Sequence, residues 1–167
     1  MHNLTSQRFE TFWHQICTPY SDHKLAIIGS EKPLNFGCIR TKHLCHFISN
    51  EKDSLRDAKR LGFMISTNLD SNFDIIILEL TKSRETNLRL LYLAEEHLNV
   101  RGKMIINGDN QIGVKSFLKT VSTHWPAEII LTKKKGKIAI FPETKKSFGH
   151  WRNCLLYTSD AADELLG

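Results

Sequence analysis

The sequence predicts an α/β fold of three layers, in which helices cover both faces of a mostly parallel sheet that ends in an antiparallel hairpin. Residues 74–80 contain four consecutive apolar residues, and this continuous run indicates a central strand that is buried on both faces. Amphipathic helical segments alternate with further strand-like runs on either side of it. Two β-branched runs, 128–132 and 137–141, flank a short turn at the end of the pattern, as in a hairpin.

The first half of the pattern contains three candidate strands and one helix. The strands are 24–29, where an apolar run ends in glycine, and the weaker candidates 44–48 and 63–65. Apolar residues recur every three positions over 52–61, which predicts a surface helix that Gly62 ends. Short apolar strands next to helices are typical of parallel sheets.

The second half begins with a helix that follows the central strand. Ser83 is a suitable N-cap, Glu85 places a carboxylate at the positive end of the helix dipole, and leucines extend an apolar face as far as Leu98. Gly102 is expected to cap the end of this segment, and a strand over 103–106 follows.

Residues 107–110 are predicted to form a turn in which Gly108 supplies a positive φ. Apolar side chains then recur with helical spacing from Val114 to Trp125, and Pro126 ends this helix. The hairpin follows directly, so no linker interrupts the domain.

The chain has the length and composition of one domain. A chain of 167 residues can bury a core of its own but is short for two full-sized domains. No apolar run approaches the roughly 18 residues that cross a bilayer, and the N-terminus lacks an export pattern. Four cysteines without short paired spacing are typical of reduced thiols. We therefore expect a cytoplasmic protein with no membrane partner.

Residues 154–167 differ abruptly in composition from the rest. The stretch from Cys154 to Glu164 resembles the translated read-through of a sequencing adaptor, which predicts a natural domain over 1–153 and a non-native tail over 154–167. A short amphipathic terminal helix is the alternative. The tail has three acidic residues and no basic residue, so residues 1–153 carry a net charge of +8, compared with +5 for the whole chain. This balance favours anionic partners.

Two loops contain glycines of the kind that nucleotide-type cofactors use. The loop 29–33 follows the first strand but has a single glycine, and Glu31 and Pro33 add a bulky charge and remove an amide hydrogen. The loop 107–113 has two glycines five residues apart and follows a late strand. A connecting loop and a turn are the favoured interpretations. We predict no cofactor-binding residue in this chain.

Metal and catalytic motifs are also not indicated. His43, Cys45 and His46, with Cys38 nearby, are conceivable zinc ligands, but adjacent residues on a strand point to opposite faces. The sequence lacks Gly-x-Ser-x-Gly, His-Glu-x-x-His and Walker patterns, so hydrolase and nucleoside triphosphatase activities have no support. No metal ligand and no catalytic residue are predicted.

A cluster of lysines lies at the predicted hairpin turn and shortly after it. Clustered lysines on a rigid turn can neutralise phosphates. Alternatively, they are merely solvated and discourage edge-to-edge strand pairing. The candidate RNA-binding residues are Lys133, Lys134, Lys135, Lys137, Lys145 and Lys146.

Several short motifs then support a family. They are the strand Asp74 to Leu80, the turn from Thr81 to Asn87, Gly108-x-Asn110-x-x-Gly113-Val114-x-Ser116, Lys135-Gly136-Lys137 and a closing Phe148-x-x-Trp151. With these motifs the chain resembles the N-terminal half of small-subunit ribosomal RNA guanine-N2 methyltransferases, the proteins with a methyltransferase small domain. Thr81 stands where relatives have proline, and none of the motifs is catalytic.

The resemblance implies a Rossmann-like class I methyltransferase fold. In that family two methyltransferase-like domains follow one another, and the first has lost cofactor binding and helps to fold the protein and engage RNA. The second carries an Asp-x-Gly-x-Gly-type loop and an Asn-Pro-Pro-Phe/Tyr motif. No two of the four prolines in this chain are adjacent, so the catalytic motif is absent from it.

The resemblance therefore implies a domain without chemistry of its own, in a parent enzyme that methylates ribosomal RNA. The parent would use S-adenosylmethionine, and this chain would not bind it. The implied partners are ribosomal RNA or the small-subunit particle, and the C-terminal catalytic domain of the same protein. The alternative is a self-contained, non-enzymatic α/β module that binds RNA or a protein.

Overall fold

The computed structural model describes residues 4–16 and 22–142. Lys145, Lys146, the motif from Phe148 to Trp151 and the tail 154–167 lie outside the described residues. The helices are α1 (Leu4–Ile16), α2 (Lys52–Arg60), α3 (Arg84–Glu96) and α4 (Val114–Ser122). The strands are β1 (Leu25–Ile28), β2 (Cys45–Ile48), β3 (Met64–Ser66), β4 (Phe73–Glu79), β5 (Leu98–Asp109), β6 (Ile129–Lys133) and β7 (Gly136–Phe141).

The seven strands form one sheet in the order β3-β2-β1-β4-β5-β7-β6. Strands β1 to β5 pair in parallel, and β7 runs antiparallel to both β5 and β6. This architecture confirms the predicted three-layer α/β sandwich with a closing hairpin. The carboxyl ends of β1 to β5 lie along one edge of the sheet, and the turn between β6 and β7 lies there too, because Gly136 pairs with Asp109. We call this border the carboxyl edge.

Each face of the sheet has its own apolar core. The core on one face includes Phe117, Leu118 and Val121 of α4, and the core on the other includes Phe9, Phe12 and Trp13 of α1. The sequence analysis did not predict α1, although its three aromatic residues have the i, i+3, i+4 spacing of a buried helical face. These three side chains are at most 4% exposed, so α1 is a full member of the second core.

The prediction that Gly102 caps α3 was wrong. Helix α3 ends at Glu96, and β5 begins at Leu98, which pairs with Phe73 before the register shifts. Gly102 lies inside β5, and a Cβ there would stand 2.8 Å from the carbonyl oxygen of Asn99. The glycine therefore permits a close approach of the backbone at an irregular part of the strand and does not end a helix.

The turn predicted over 107–110 is also placed differently. Strand β5 continues to Asp109, and the left-handed φ of +83° belongs to Gly113 and not to Gly108. Gly108 is instead required by packing, because a Cβ there would be 2.8 Å from Leu80 and 3.1 Å from Val114. Periodicity could not distinguish a turn glycine from a glycine in a crowded strand.

Candidate nucleic-acid interface

The turn between β6 and β7 presents a compact group of lysines at the carboxyl edge. Lys133, Lys134 and Lys135 are exposed, while Lys137 is half-buried and donates from Nζ to Thr132 Oγ1 at 2.7 Å. We call these four residues the lysine turn. The structure therefore brings together the four described members of the predicted RNA-binding cluster.

The backbone of the lysine turn has an unusual conformation. Lys134 and Lys135 adopt φ values of +51° and +56°. Two successive left-handed residues are typical of the type I′ turn that closes tight hairpins, where Asn-Gly is the preferred pair. A lysine in this region costs on the order of 1 kcal/mol compared with glycine. Lysine therefore occupies two backbone positions at which asparagine and glycine would give a more stable turn.

Arg8 of α1 fixes the lysine turn from beneath. Its guanidinium is fully buried, and Nη1 donates to the carbonyl oxygen of Lys134 at 2.9 Å. Nη2 donates to Asp109 Oδ1 at 2.6 Å, and Nε donates to Asn107 Oδ1 at 2.7 Å. Gly136 is needed here, since a Cβ on it would clash with the guanidinium. One side chain from the first helix therefore holds the end of β5 and the hairpin turn together.

Sequence reasoning missed other basic residues at the carboxyl edge. Lys82 and Arg84 follow β4, and Lys115 lies in the first turn of α4, after β5. All three are exposed, and Arg84 Nη2 donates to Thr120 Oγ1 at 2.8 Å, which ties α3 to α4. The signal was available in the sequence, because residues that follow parallel strands meet at one edge of a sheet.

Charge is divided along this edge. The segments that directly follow β1 and β2, residues 29–32 and 49–53, carry three acids and two bases, whereas the loops after β4 and β5, together with the hairpin, are strongly basic. In the first group lie Glu31, Lys32, Glu51, Lys52 and Asp53, and in the second lie Lys82, Arg84, Glu85, Asp109, Lys115, Lys133, Lys134 and Lys135. Because Arg8 pairs with Asp109, the basic half attracts phosphates more strongly than the acidic half.

A cleft of about 510 Å³ opens at the acidic half of the edge. Its walls include Ile48 at the end of β2, Leu69 after β3, and Leu90 and Leu93 of α3. Polar groups surround these apolar walls: Ser49, Asn50, Glu51, Asn68, Thr81, Thr86 and Arg89. Apolar walls with a few hydrogen-bonding groups and this volume are typical of a site for a small molecule.

The loop after β1 lacks the form of a glycine-rich cofactor loop, although Gly29, Ser30 and Glu31 border the cleft. Gly29 has φ +81°, and a Cβ there would clash with the carbonyl oxygen of Glu79, so the loop lies directly against the end of β4. Ser30 is only 4% exposed and accepts from the amide of Lys32 at 3.1 Å. Pro33 then opens a four-residue 3₁₀ turn, so no helix directs free amide hydrogens at the loop. The expectation of no cofactor-binding residue in this loop stays a prediction.

A buried carboxyl group lies behind this loop. Glu79 is the last residue of β4, and its Oε1 accepts from Asn35 Nδ2 at 3.1 Å. Burial raises the pKa of Glu79 from 4.5 to about 7, although hydrogen bonding to Ser30 and Asn35 opposes the shift. Oε2 is buried without a hydrogen-bond partner among the described residues. The carboxyl group is therefore partly protonated at neutral pH.

The conceivable zinc ligands point away from one another. Cys45 is buried in the core beside α1, whereas His46 on the opposite face makes an edge contact with Phe73. Burial raises the pKa of the Cys45 thiol and lowers that of His46. Within 4–16 and 22–142, no three side chains of His, Cys, Asp or Glu are grouped to hold a metal ion. No helix in these ranges is long and apolar enough to span a membrane.

A family model matches most of the domain just described. It is the methyltransferase small domain N-terminal family, and the match covers residues 35–130. The chain belongs to this family. No curated protein sequence matches the chain.

Solved structures similar to this N-terminal methyltransferase small domain include several methyltransferases. A 16S rRNA N2 methyltransferase from Thermus thermophilus, in complex with AdoMet and guanosine, superposes with a TM-score of 0.62 at 13% identity. A ribosomal protein L11 methylase from Lactobacillus delbrueckii has a TM-score of 0.65 at 12% identity, and a methyltransferase from Pyrococcus furiosus has 0.63 at 14%. At such identities the likeness shows a shared class I methyltransferase fold.

The matches differ in how much of each protein they include. The Thermus match covers 74% of this chain but only 36% of that protein. The Lactobacillus match covers 83% of this chain and 79% of that one, and the Pyrococcus match covers 83% of each. The chain therefore spans about a third of the length of the Thermus enzyme.

Proposed function

We propose that this chain is a non-catalytic, RNA-facing domain of an S-adenosylmethionine-dependent methyltransferase that modifies guanine N2 in ribosomal RNA. The catalytic half of that enzyme lies in a part of the protein that this sequence does not include. The observation that carries the proposal is the contrast between two loops at the carboxyl edge. The loop after β1 is closed against Glu79, while the lysine turn holds exposed cations in a fixed arrangement.

Family membership and the missing motif support the proposal. The family is defined as the N-terminal part of a methyltransferase small domain, and no Asn-Pro-Pro-Phe/Tyr sequence occurs in the chain. S-adenosylmethionine supplies the methyl group in the parent enzyme. In this domain the side chains bind and orient RNA through phosphate charge and shape, which leaves the choice of the reacting atom to the catalytic half.

RNA binding by the lysine turn is tested by removing its charges. Replacement of Lys133, Lys134, Lys135 and Lys137 by glutamine should weaken binding of a ribosomal RNA fragment. It should also reduce the slope of log affinity against log salt by up to about three, because each lost phosphate contact contributes about 0.7 for a single strand. Fluorescence anisotropy between about 50 and 200 mM salt measures both quantities. The matched control removes two exposed charges from the opposite edge, as Lys59→Gln with Arg60→Gln, and should change neither. Unchanged affinity in the lysine variant would show that those side chains are only solvated and do not bind RNA.

Absence of donor binding is tested by calorimetry of the chain with S-adenosylmethionine. No saturable heat is expected, because the loop after β1 has a single glycine and lacks the glycine-rich sequence that lets the backbone approach the donor. Stoichiometric tight binding would contradict the non-catalytic assignment.

Extension of the gene sequence past Asn153 is an independent test. An Asp-x-Gly-x-Gly loop followed by Asn-Pro-Pro-Phe/Tyr supports the parent enzyme, whereas a stop codon shortly after Asn153 favours a self-contained binding module.

A further inference from the structure

The cleft at the acidic half of the edge has its origin in an unusually short crossover. Strand β3 ends at Ser66 and β4 begins at Phe73, so only residues 67–72 connect two parallel strands that are separated by β2 and β1. Such crossovers ordinarily contain a dozen or more residues with a helix. Here an extended segment crosses the face, with Leu69 packed on the core and Ser71 bonded to Lys24 Nζ at 3.1 Å. The missing helix leaves the cleft open.

The walls of the cleft have the chemistry of a nucleoside site. Aliphatic side chains of Ile48, Leu69 and Leu90 offer flat apolar contact to a base, and the amides of Asn50 and Asn68 can donate to and accept from its edge. Glu51 lies just after β2, about 20 residues after Gly29, the place where a carboxylate binds ribose hydroxyl groups in nucleotide-binding α/β folds.

Arg89 is a positively charged residue in the wall of this cleft. It is half-buried in the wall formed by α3 and has no hydrogen bond or ion pair to another residue within 4–16 and 22–142. Arg8, by contrast, is bonded to Asn107 and Asp109 of β5 and to the lysine turn, and Arg84 is bonded to Thr120. A guanidinium left unpaired beside an apolar wall can bind a phosphate or stack on a base.

The cleft and the lysine turn are within reach of one strand of RNA. Both lie at the carboxyl edge, and β1 and β7 are three strand spacings apart, or about 15 Å. Phosphates are drawn to the basic half of the edge, and the acidic half suits a nucleoside that brings only one phosphate to Arg89.

From these observations we infer that the cleft holds one unpaired ribonucleotide of the RNA that the lysine turn binds. The base lies against Ile48, Leu69 and Leu90, Arg89 binds its phosphate, and Glu51 accepts from its ribose 2′-hydroxyl. This inference rests on the proposed RNA-binding function and adds to it a single-stranded, ribose-specific contact.

The test uses the whole chain and a labelled single-stranded RNA octamer, with a DNA octamer of the same sequence. Arg89→Gln should weaken RNA binding about tenfold, as expected for one charge-assisted contact. Glu51→Gln should bring the ratio of RNA to DNA affinity close to one, because the 2′-hydroxyl distinguishes the two. Arg60→Gln, which removes the same charge from the opposite edge, should bind like the unmodified chain.

Three results would overturn the inference. The first is unchanged binding by Arg89→Gln and Glu51→Gln while the lysine-turn variant loses RNA; this leaves the proposed function intact. The second is displacement of the octamer by S-adenosylmethionine, which would assign the cleft to the donor. Photo-crosslinking of a 4-thiouridine octamer to the unmodified chain avoids variants that fail to fold, and crosslinks are expected in 48–51 and 86–93. The third result that would overturn the inference is a set of crosslinks confined to the lysine turn. If the chain binds no RNA at all, the proposed function itself fails.

Discussion

At the scale of single residues, Glu79 and Arg8 show how the carboxyl edge is stabilised. Both side chains are ionisable. Glu79 is the last residue of β4, and Arg8 of α1 lies beneath the hairpin turn. Glu79 is held in a site that favours its neutral form, and the buried guanidinium of Arg8 is paired with the carboxylate of Asp109. Each therefore predicts a distinct experimental result.

Glu79→Gln should remove a pH dependence of stability. The folded pKa of about 7 lies above the ordinary value of 4.5, so the folded state binds the proton more tightly than the unfolded chain. Stability from this group is complete below about pH 4.5 and is lost as pH rises through 7, by up to about 3 kcal/mol. The glutamine variant should match the original protein in urea denaturation at pH 5 and exceed it at pH 8. Glu85→Gln, at an exposed position in α3, is the control, and parallel pH profiles for Glu79→Gln and the original would contradict the assignment.

Arg8→Met should destabilise the protein strongly. The methionine keeps the apolar stem but removes the hydrogen bonds that Arg8 donates to Asp109, Asn107 and the carbonyl oxygen of Lys134. Asp109 retains its bond from Thr5 Oγ1. Removal of one partner from a buried charged network costs about 3 to 5 kcal/mol, and the lower value suits the partly exposed Asp109. Arg56→Met, which breaks an exposed ion pair with Asp53, should cost less than about 1 kcal/mol. Equal losses in the two variants would show that the Arg8 network is energetically unimportant.

At the scale of elements, the hairpin separates stability from binding. Replacing Lys134 and Lys135 by Asn-Gly supplies the preferred residues of a type I′ turn, and should raise the free energy of unfolding by about 1 to 2 kcal/mol. The same change removes two cations and should weaken RNA binding and its salt dependence. Urea denaturation and anisotropy on one preparation measure both effects.

Charge-preserving variants complete this comparison. Lys134→Arg with Lys135→Arg keeps the cations and the left-handed backbone, and should retain RNA binding without the gain in stability. A stabilised Asn-Gly turn that still binds RNA normally would show that the lysines were not retained for that purpose.

At the scale of the whole molecule, α1 should be necessary for the carboxyl edge to form. Deletion of residues 1–21 removes Phe9, Phe12 and Trp13 from one core and Arg8 from the lysine turn. Loss of cooperative unfolding and of RNA binding is expected, although every lysine of the turn remains. Deletion of 154–167 should change neither the melting temperature nor the affinity if the tail is non-native. Normal RNA binding without α1 would contradict the role given to Arg8.

The sequence predicted the sheet and its hairpin but not the details that hold them together. Continuous apolar runs such as 74–80 identify buried strands regardless of context, so the central strands and the alternation with helices could be predicted. The contact between Arg8 and Lys134 joins residues 126 positions apart, and no local pattern indicates such a pair. Gly102 and Gly108 were misplaced for the same reason, since the atoms that crowd them depend on the tertiary arrangement.

The candidate site was predicted in the same partial way. Local clustering revealed Lys133, Lys134 and Lys135, whereas Lys82, Arg84 and Lys115 are dispersed in the sequence and assembled by topology. The cleft near Arg89 depends on a helix that the chain lacks, and the predicted elements could have shown this through the short interval between 63–65 and 74–80.

The buried guanidinium beneath the hairpin also has a consequence for the order of assembly. Helix α1 is synthesised before the rest of the described domain, yet its arginine finds its acceptors only in β5 and in the turn before β7. During synthesis the nascent chain must carry that charge in water until the last hairpin is complete. The lysine turn is therefore ordered only once the hairpin has paired, so a partly synthesised domain would lack the fixed arrangement of its lysines.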